Sequence, residues 1–312
     1  ALPELRRMGY SGSLSTGALA AGGTLGILIP PSVILIIYSI LTEQNIAKMF
    51  LAAFVPGILA AIGYLIAIAI FVRIKPDSGP PTSYVGWRQR LNLFGQVWQI
   101  LVIFFLVIGG IYLGWFTPTE GASIGAAGTG IMALFTKGFN FSDLIDVIKD
   151  TAVTSAMIFL VLLGAEFFNS FIALTQITNE LATFVISNEL SPYLVVFCIL
   201  VLYILLGCLM DSLAMILLTI PVFFPIIIEL DFGMSIEEVA IWFGILTLIV
   251  VEVGLITPPV GLNVFIINKM AKNVPISDTF IGVLPFLISD LIRVGILFIF
   301  PSISLFLIRL FG

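Results

Sequence analysis

The chain has 312 residues, 60% of them hydrophobic and only 10% charged, with a formal net charge of −5 and a mean hydropathy of +1.21. Soluble domains carry about 25% charged residues, so this composition excludes an ordinary soluble domain and implies an all-α polytopic membrane protein. The absence of histidine excludes His-based proton relays, His-ligated haem and most zinc or di-iron chemistry, and no basic or repetitive tract suggests nucleic acid.

The chain opens Ala1-Leu2-Pro3-Glu4-Leu5-Arg6-Arg7 without an initiator Met or signal peptide, and reads as the interior of a longer protein. Apolar runs follow at about 13–41, 50–72, 95–115, 118–136, 145–173, 192–230, 237–272 and 282–311. They approach or exceed the roughly 20 residues of a spanning helix, whereas a β-barrel would show short alternating segments. The first run holds Gly26 ahead of Pro30-Pro31-Ser32. Two adjacent prolines remove two amide donors and clash with the preceding turn, so this run cannot be one continuous helix. The stretch Arg73 to Asn92 is the one clearly aqueous linker, and carries Arg73, Lys75, Arg88 and Arg90. The positive-inside rule makes it cytoplasmic. Thr117-Pro118-Thr119-Glu120 fits a helix start, with Thr117 as N-cap, Pro118 at the first position and Glu120 closing a capping box.

The run 192–230 is interrupted by Gly207-Cys208-Leu209-Met210-Asp211-Ser212. A carboxylate at membrane depth costs about 2.5–3.5 kcal/mol, so Asp211 should face a partner or a cavity. One arrangement is a re-entrant hairpin whose tip brings Asp211 and Ser212 to the second double proline; the other is two full crossings with Asp211 in a loop. Run 237–272 contains that second break, Gly254-Leu255-Ile256-Thr257-Pro258-Pro259-Val260-Gly261. With the hairpin, the basic residues agree at every step: Arg6 and Arg7, the 73–94 linker, Lys137, Lys149, Lys269 and Lys272 all fall inside. The two broken helices then cross in opposite directions. The domain reading is thus 1–72 as the end of a first inverted repeat, 73–94 as a cytoplasmic linker and 95–312 as a second repeat. Cys198 and Cys208, ten apart in one apolar run, read as reduced core thiols.

At a helix break, carbonyls at the end of the first half-helix can coordinate a hard cation, and the amide end of the second half attracts anions. Gly26 and Gly254 allow close approach, while Ser32 and Thr257 add hydroxyl oxygens. Na⁺ suits such neutral oxygens with one carboxylate, which places it near Asp211, Ser212, Gly254 and Thr257. The plainer reading of the prolines is that they kink packed helices. Asp290 and Arg293 are three apart on one helix face and read as a mutually neutralising pair, with contact to substrate as the alternative. Glu166 and Glu252 are single acids in apolar surroundings, open either to ion coupling or to a buried hydrogen bond. No hydrolase motif or phosphate-binding loop is present.

The motifs Arg7-Met8-Gly9-Tyr10, Gly23 to Ser32, Thr117 to Glu120, Gly207 to Ala214 and Gly254 to Asn263 occur in this order along nearly the whole chain. In this the chain resembles the large membrane subunit of the tripartite ATP-independent periplasmic (TRAP) transporters. The resemblance implies a permease and not an enzyme: a sodium-coupled secondary transporter of elevator type in the bacterial inner membrane, with Na⁺ as coupling ion and no other cofactor. It implies a periplasmic binding protein that delivers a small organic acid, and a small four-helix membrane subunit. The candidate ion and substrate residues are Gly26, Pro30, Pro31, Ser32, Gly207, Asp211, Ser212, Gly254, Thr257, Pro258, Pro259 and Asn263. The family also carries a first hairpin ahead of the segment that begins here at Ala1. Alternatives are a stand-alone sodium/dicarboxylate symporter of similar fold and a membrane scaffold that carries no substrate.

Overall fold

The computed structural model describes residues 1–80, 86–135, 139–271 and 273–311; Lys137 and Lys272, read as cytoplasmic, lie outside them. Every regular element among the described residues is helical. In order these are α1 (Leu2–Arg7), α2 (Gly12–Leu28), α3 (Val33–Leu41), α4 (Ile46–Ile74) with a 3-10 turn behind it (Pro76–Ser78), α5 (Trp87–Tyr112), α6 (Pro118–Leu134) and α7 (Phe141–Thr175). Then come α8 (Ile177–Ser187), α9 (Pro192–Gly207), α10 (Ser212–Ile228), α11 (Ile236–Ile256), α12 (Leu262–Met270), α13 (Ile276–Ile299) and α14 (Ser302–Phe311). Among the described residues four of them, α4, α7, α11 and α13, are long and apolar enough to cross a membrane, and α2 with α3, bent by 43° at their break, are apolar enough together to form either a broken span or a re-entrant loop. The chain is an all-helical, multi-pass membrane protein.

By internal contacts it divides into two compact units, residues 1–80 with 164–312, and residues 81–163. In the smaller unit α5 packs along α6. The turn between them ends in the capping box read from the sequence: Glu120 N–H donates to Thr117 Oγ1 at 3.3 Å, and Thr117 N–H donates to Glu120 Oε2 at 2.8 Å.

The larger unit is built around α11, which is buried without interruption from Val239 to Ile256. A second capping box, between Ser235 and Glu238, starts it. Around it lie α2, α4, α9, α10 and α13. Burying these residues relative to water would stabilise this unit if the alternative were solvent; in lipid the gain comes from close packing and interhelical hydrogen bonds instead. Two such bonds anchor α11: Tyr38 Oη donates to the Ala240 carbonyl at 2.7 Å, and Trp242 Nε1 donates to the Leu297 carbonyl at 2.9 Å. Prolines inside helices free carbonyls one turn back. The one freed by Pro221 on α10, Leu217 O, is met by the Asn169 amide of α7 at 3.5 Å.

Three local expectations are corrected. The run 282–311 is two helices, because Phe300 leaves helical geometry (φ −120°, ψ 75°) and Pro301 cannot donate back into α13, which itself begins at Ile276. Between 173 and 192 lies α8, absent from the apolar runs because Asn179 and Glu180 interrupt its hydrophobicity. Cys198 is exposed and only Cys208 is buried: Cys198 lies mid-way along α9, whereas Cys208 caps its end beside Pro258.

Candidate functional site

The first break separates α2 from α3. The α2 helix starts on Ser11, whose hydroxyl accepts the Leu14 amide at 3.2 Å, and stops at Ile29, where backbone turns extended (φ −78°, ψ 121°) ahead of Pro30-Pro31. Neither proline can donate, so the carbonyls of Gly26 and Ile27 have no partner one turn ahead. Ser32 then caps α3, accepting the Leu35 amide at 3.4 Å, and is buried. Pro30 is buried beside a small apolar cavity of about 110 Å³, shared with Ile29, Phe54 and Gly57. Gly26 and Pro31 are exposed, and no atom beyond the neighbouring backbone of α2 lies within 4 Å of where a Gly26 side chain would begin.

The second break separates α11 from α12. Pro258 and Pro259 again lack donors, and the Gly254 carbonyl is taken instead by the Thr257 amide at 3.1 Å. The Thr257 hydroxyl donates to Val253 O at 2.6 Å, so its oxygen can still accept a bond or a cation. The Leu255 carbonyl is the one left open by Pro259. Gly261 restarts the chain with φ +61°, a left-handed conformation that side chains with a Cβ rarely adopt. Pro258 and Pro259 are exposed, and both double prolines have a cis bond between their two rings.

The turn between α9 and α10 sits on this second break. Gly207 and Gly254 meet backbone to backbone, so that a Cβ on Gly254 would lie 2.6 Å from Gly207 Cα. Next to them Cys208 Sγ lies 3.4 Å from the Pro258 carbonyl, in donor geometry. Asp211 follows as the N-cap of α10: its Oδ2 accepts the Leu213 amide at 3.1 Å, and it is exposed, while Ser212 is buried. No hydrogen bond joins Asp211 to Thr257 among the described residues. The structure therefore brings together Gly207, Gly254 and Pro258, with Asp211 and Ser212 at the same turn.

The two breaks also approach each other. The α12 helix packs on α2, and the Asn263 amide nitrogen lies 4.0 Å from the Cβ position of Gly23. Asn263 thus reaches the face of α2 that carries Gly23 and Gly26. Each break thus carries open backbone oxygens and a hydroxyl, and the Asn263 amide at the start of α12 lies against α2 near Gly23. Neutral carbonyl and hydroxyl oxygens of this kind fit a hard monovalent cation, and helix N-termini with an amide side chain fit a carboxylate.

Behind the breaks lies a polar cluster that composition and spacing predicted only in part. Arg293 Nη2 donates to Asp290 Oδ1 at 2.9 Å, as the spacing of the pair implies. It also faces Glu252 of α11 at 3.6 Å. Tyr64 Oη donates to Asp290 Oδ2 at 2.7 Å and lies 3.4 Å from the Thr24 hydroxyl. All five side chains are buried. The only sequence signal for Glu252 joining them is an acid alone in the apolar stretch of α11 beyond Glu238; nothing in the spacing points to Tyr64 or Thr24.

The family model described as "Tripartite ATP-independent periplasmic transporter, DctM component" matches residues 1–303. The C4-dicarboxylate TRAP transporter large permease protein DctM of Pseudomonas aeruginosa is 32% identical over 306 residues, covering 98% of this chain and 70% of that protein. The sialic acid TRAP transporter permease protein SiaT of Haemophilus influenzae is 31% identical over 307 residues, 98% of this chain and 48% of that protein. The sialic acid TRAP transporter large permease protein SiaM of Vibrio cholerae is 27% identical over 315 residues, 99% of this chain and 71% of that protein. The chain spans from about half to about seven-tenths of the length of these curated relatives.

Proposed function

Because the chain belongs to the DctM family, the large permease subunits of tripartite ATP-independent periplasmic transporters, we propose that it carries the ion and substrate half-sites of a sodium-coupled importer of small organic acids. The observation that carries this reading is the pair of double-proline breaks, each leaving carbonyls without amide partners, with the α9–α10 turn seated on the second. In hydrocarbon such groups persist where they line a cavity and meet ligands.

In this reading Na⁺ at the second break takes the Leu255 carbonyl, the Thr257 and Ser212 hydroxyls and the Asp211 carboxylate, with Gly254 allowing the close approach. At the first break the Gly26 and Ile27 carbonyls and Ser32 serve the same role. The substrate carboxylate meets the amide end of α12 and Asn263, between the two. The relatives named for a C4-dicarboxylate and for sialic acid both handle carboxylates, which supports an organic acid as cargo. A periplasmic binding protein delivers it, a small four-helix subunit holds the scaffold, and both work at the bacterial inner membrane. The α9–α10 pair acts as a re-entrant hairpin within an inverted-repeat fold of residues 1–72 and 95–312, linked by 73–94, and the unit built around α11 moves as the elevator. No sodium site requires catalysis; the work is differential binding on the two sides of the membrane.

The test is uptake by the complete transporter in proteoliposomes. Uptake should require both an inward Na⁺ gradient and the binding protein, and should fail in Asp211→Ala while the variant still inserts. Uptake indifferent to Na⁺ would refute the assignment.

A further inference from the structure

The buried charges behind the breaks take no part in the half-sites, yet they connect them. Glu252 has no exposed surface and lies about one turn before α11 ends at the second break. Its carboxylate faces Arg293 Nη2 at 3.6 Å and the backbone amide of Leu28, the last residue of α2 before the first break. No hydrogen bond of ordinary length reaches either of its oxygens among the described residues. Arg293 is held in turn by Asp290 at 2.9 Å, Asp290 by the Tyr64 hydroxyl at 2.7 Å, and Tyr64 stands 3.4 Å from Thr24, one turn before Leu28. The chain of contacts thus leaves α11, crosses α13 and α4, and returns to α2, and each of these helices packs on the other three.

A buried ion pair is weak evidence for stability, since apolar replacements of similar volume are often neutral or better. Four helices that keep two carboxylates, a guanidinium and a phenol in an apolar interior gain geometry instead: each group fixes the distance and rotation of its neighbour. A shift of the α11 end, where the second half-site forms, must then move Arg293 and Asp290 or break their contacts. The same groups determine where Tyr64 meets α2, whose end forms the first half-site. Discrete, buried contacts of this kind switch between arrangements more readily than they deform.

We propose that Thr24, Tyr64, Asp290, Arg293 and Glu252 are positioning residues that couple the two half-sites, so that Na⁺ at one break raises the affinity of the other. The proposal rests on the sodium reading above. Coupling of this kind is established only by perturbing it, and the hydroxyls offer the mildest perturbation. The measurement is the steepness of Na⁺ activation in the complete transporter, meaning the full-length large subunit with its small subunit and binding protein. The wild type should show a Hill coefficient above one. Tyr64→Phe and Thr24→Val should each bring it toward one, and the double variant should go no further than either, because both cut the same link. Tyr38→Phe removes a buried hydroxyl outside the relay, one bonded to the Ala240 carbonyl at 2.7 Å, and should leave the coefficient unchanged. The Na⁺ dependence of the melting temperature of the purified complex gives the same comparison for any variant that transports poorly.

A wild-type coefficient of one, or coefficients in Tyr64→Phe and Thr24→Val equal to the wild type, would overturn the relay while leaving sodium coupling intact. An equal fall in Tyr38→Phe would also overturn it, by showing a general effect of lost packing. Wild-type uptake that ignores Na⁺ would overturn the sodium reading and the relay with it.

Discussion

Gly254→Ala probes the contact that seats the α9–α10 turn on the second break. A methyl group there would lie 2.6 Å from Gly207 Cα, 2.8 Å from its carbonyl carbon and 3.3 Å from the Cys208 nitrogen. Carbon atoms pack at about 3.5–4.0 Å, so the turn must retreat by about 1 Å, and the atoms it meets are backbone that cannot rotate away. Overpacking of this kind costs about 1–3 kcal/mol. If that cost falls wholly on the seated state, apparent Na⁺ affinity drops by about 5- to 150-fold, at ~1.4 kcal/mol per decade. The assay is uptake against Na⁺ concentration, paired with alkylation of Cys208 in a Cys198→Ser background, because Cys208 is buried beside Pro258. Retreat of the turn should speed Cys208 labelling and weaken its protection by Na⁺. Gly22→Ala, where nothing lies within 4 Å of the new methyl, serves as control and should leave both curves in place. An unchanged sodium curve and unchanged labelling in Gly254→Ala would show that the turn does not form the site.

Asp211→Ala should abolish Na⁺-dependent uptake without loss of membrane insertion, checked by uptake and by the amount of protein in the membrane fraction; retained sodium dependence would remove Asp211 from the site. Arg293→Met leaves Asp290 and Glu252 buried without a cation, and should destabilise the protein by about 3–5 kcal/mol, read as a lower melting temperature in detergent. Adding Asp290→Asn and Glu252→Gln should restore most of that loss, and failure to do so would mean that packing, not charge, is what Arg293 supplies. Thr117→Ala removes the cap of α6 at a cost of about 0.5–2 kcal/mol. It should raise amide exchange at the start of that helix, with the sodium dependence of uptake unaltered.

The parts of the fold visible in the sequence were those governed by local chemistry. The double prolines cannot continue a helix, so both breaks were readable residue by residue, as was the capping box at Thr117 and Glu120. The Asp290–Arg293 pair followed from its spacing on one face. What escaped depended on contacts between distant segments. The meeting of Gly207 with Gly254 and the closure of Glu252, Tyr64 and Thr24 onto the Asp290–Arg293 pair arise from how α11 lies among its neighbours, which no local pattern encodes. The split at Phe300 and Pro301 was missed for a different reason: the apolar run continues through it, and hydropathy does not register a change of backbone direction. Cys198 was misplaced because α9 is apolar all round, so composition alone cannot say which face turns inward.

The central claim is that the breaks form sodium-dependent half-sites of an importer. It is tested most directly by substrate uptake into proteoliposomes holding the complete transporter, with an inward Na⁺ gradient, with the same concentration of K⁺ in its place, and with or without the binding protein. Uptake only with Na⁺ and the binding protein together, lost in Asp211→Ala and weakened in Gly254→Ala, is the predicted result. Equal uptake in Na⁺ and K⁺ would contradict it.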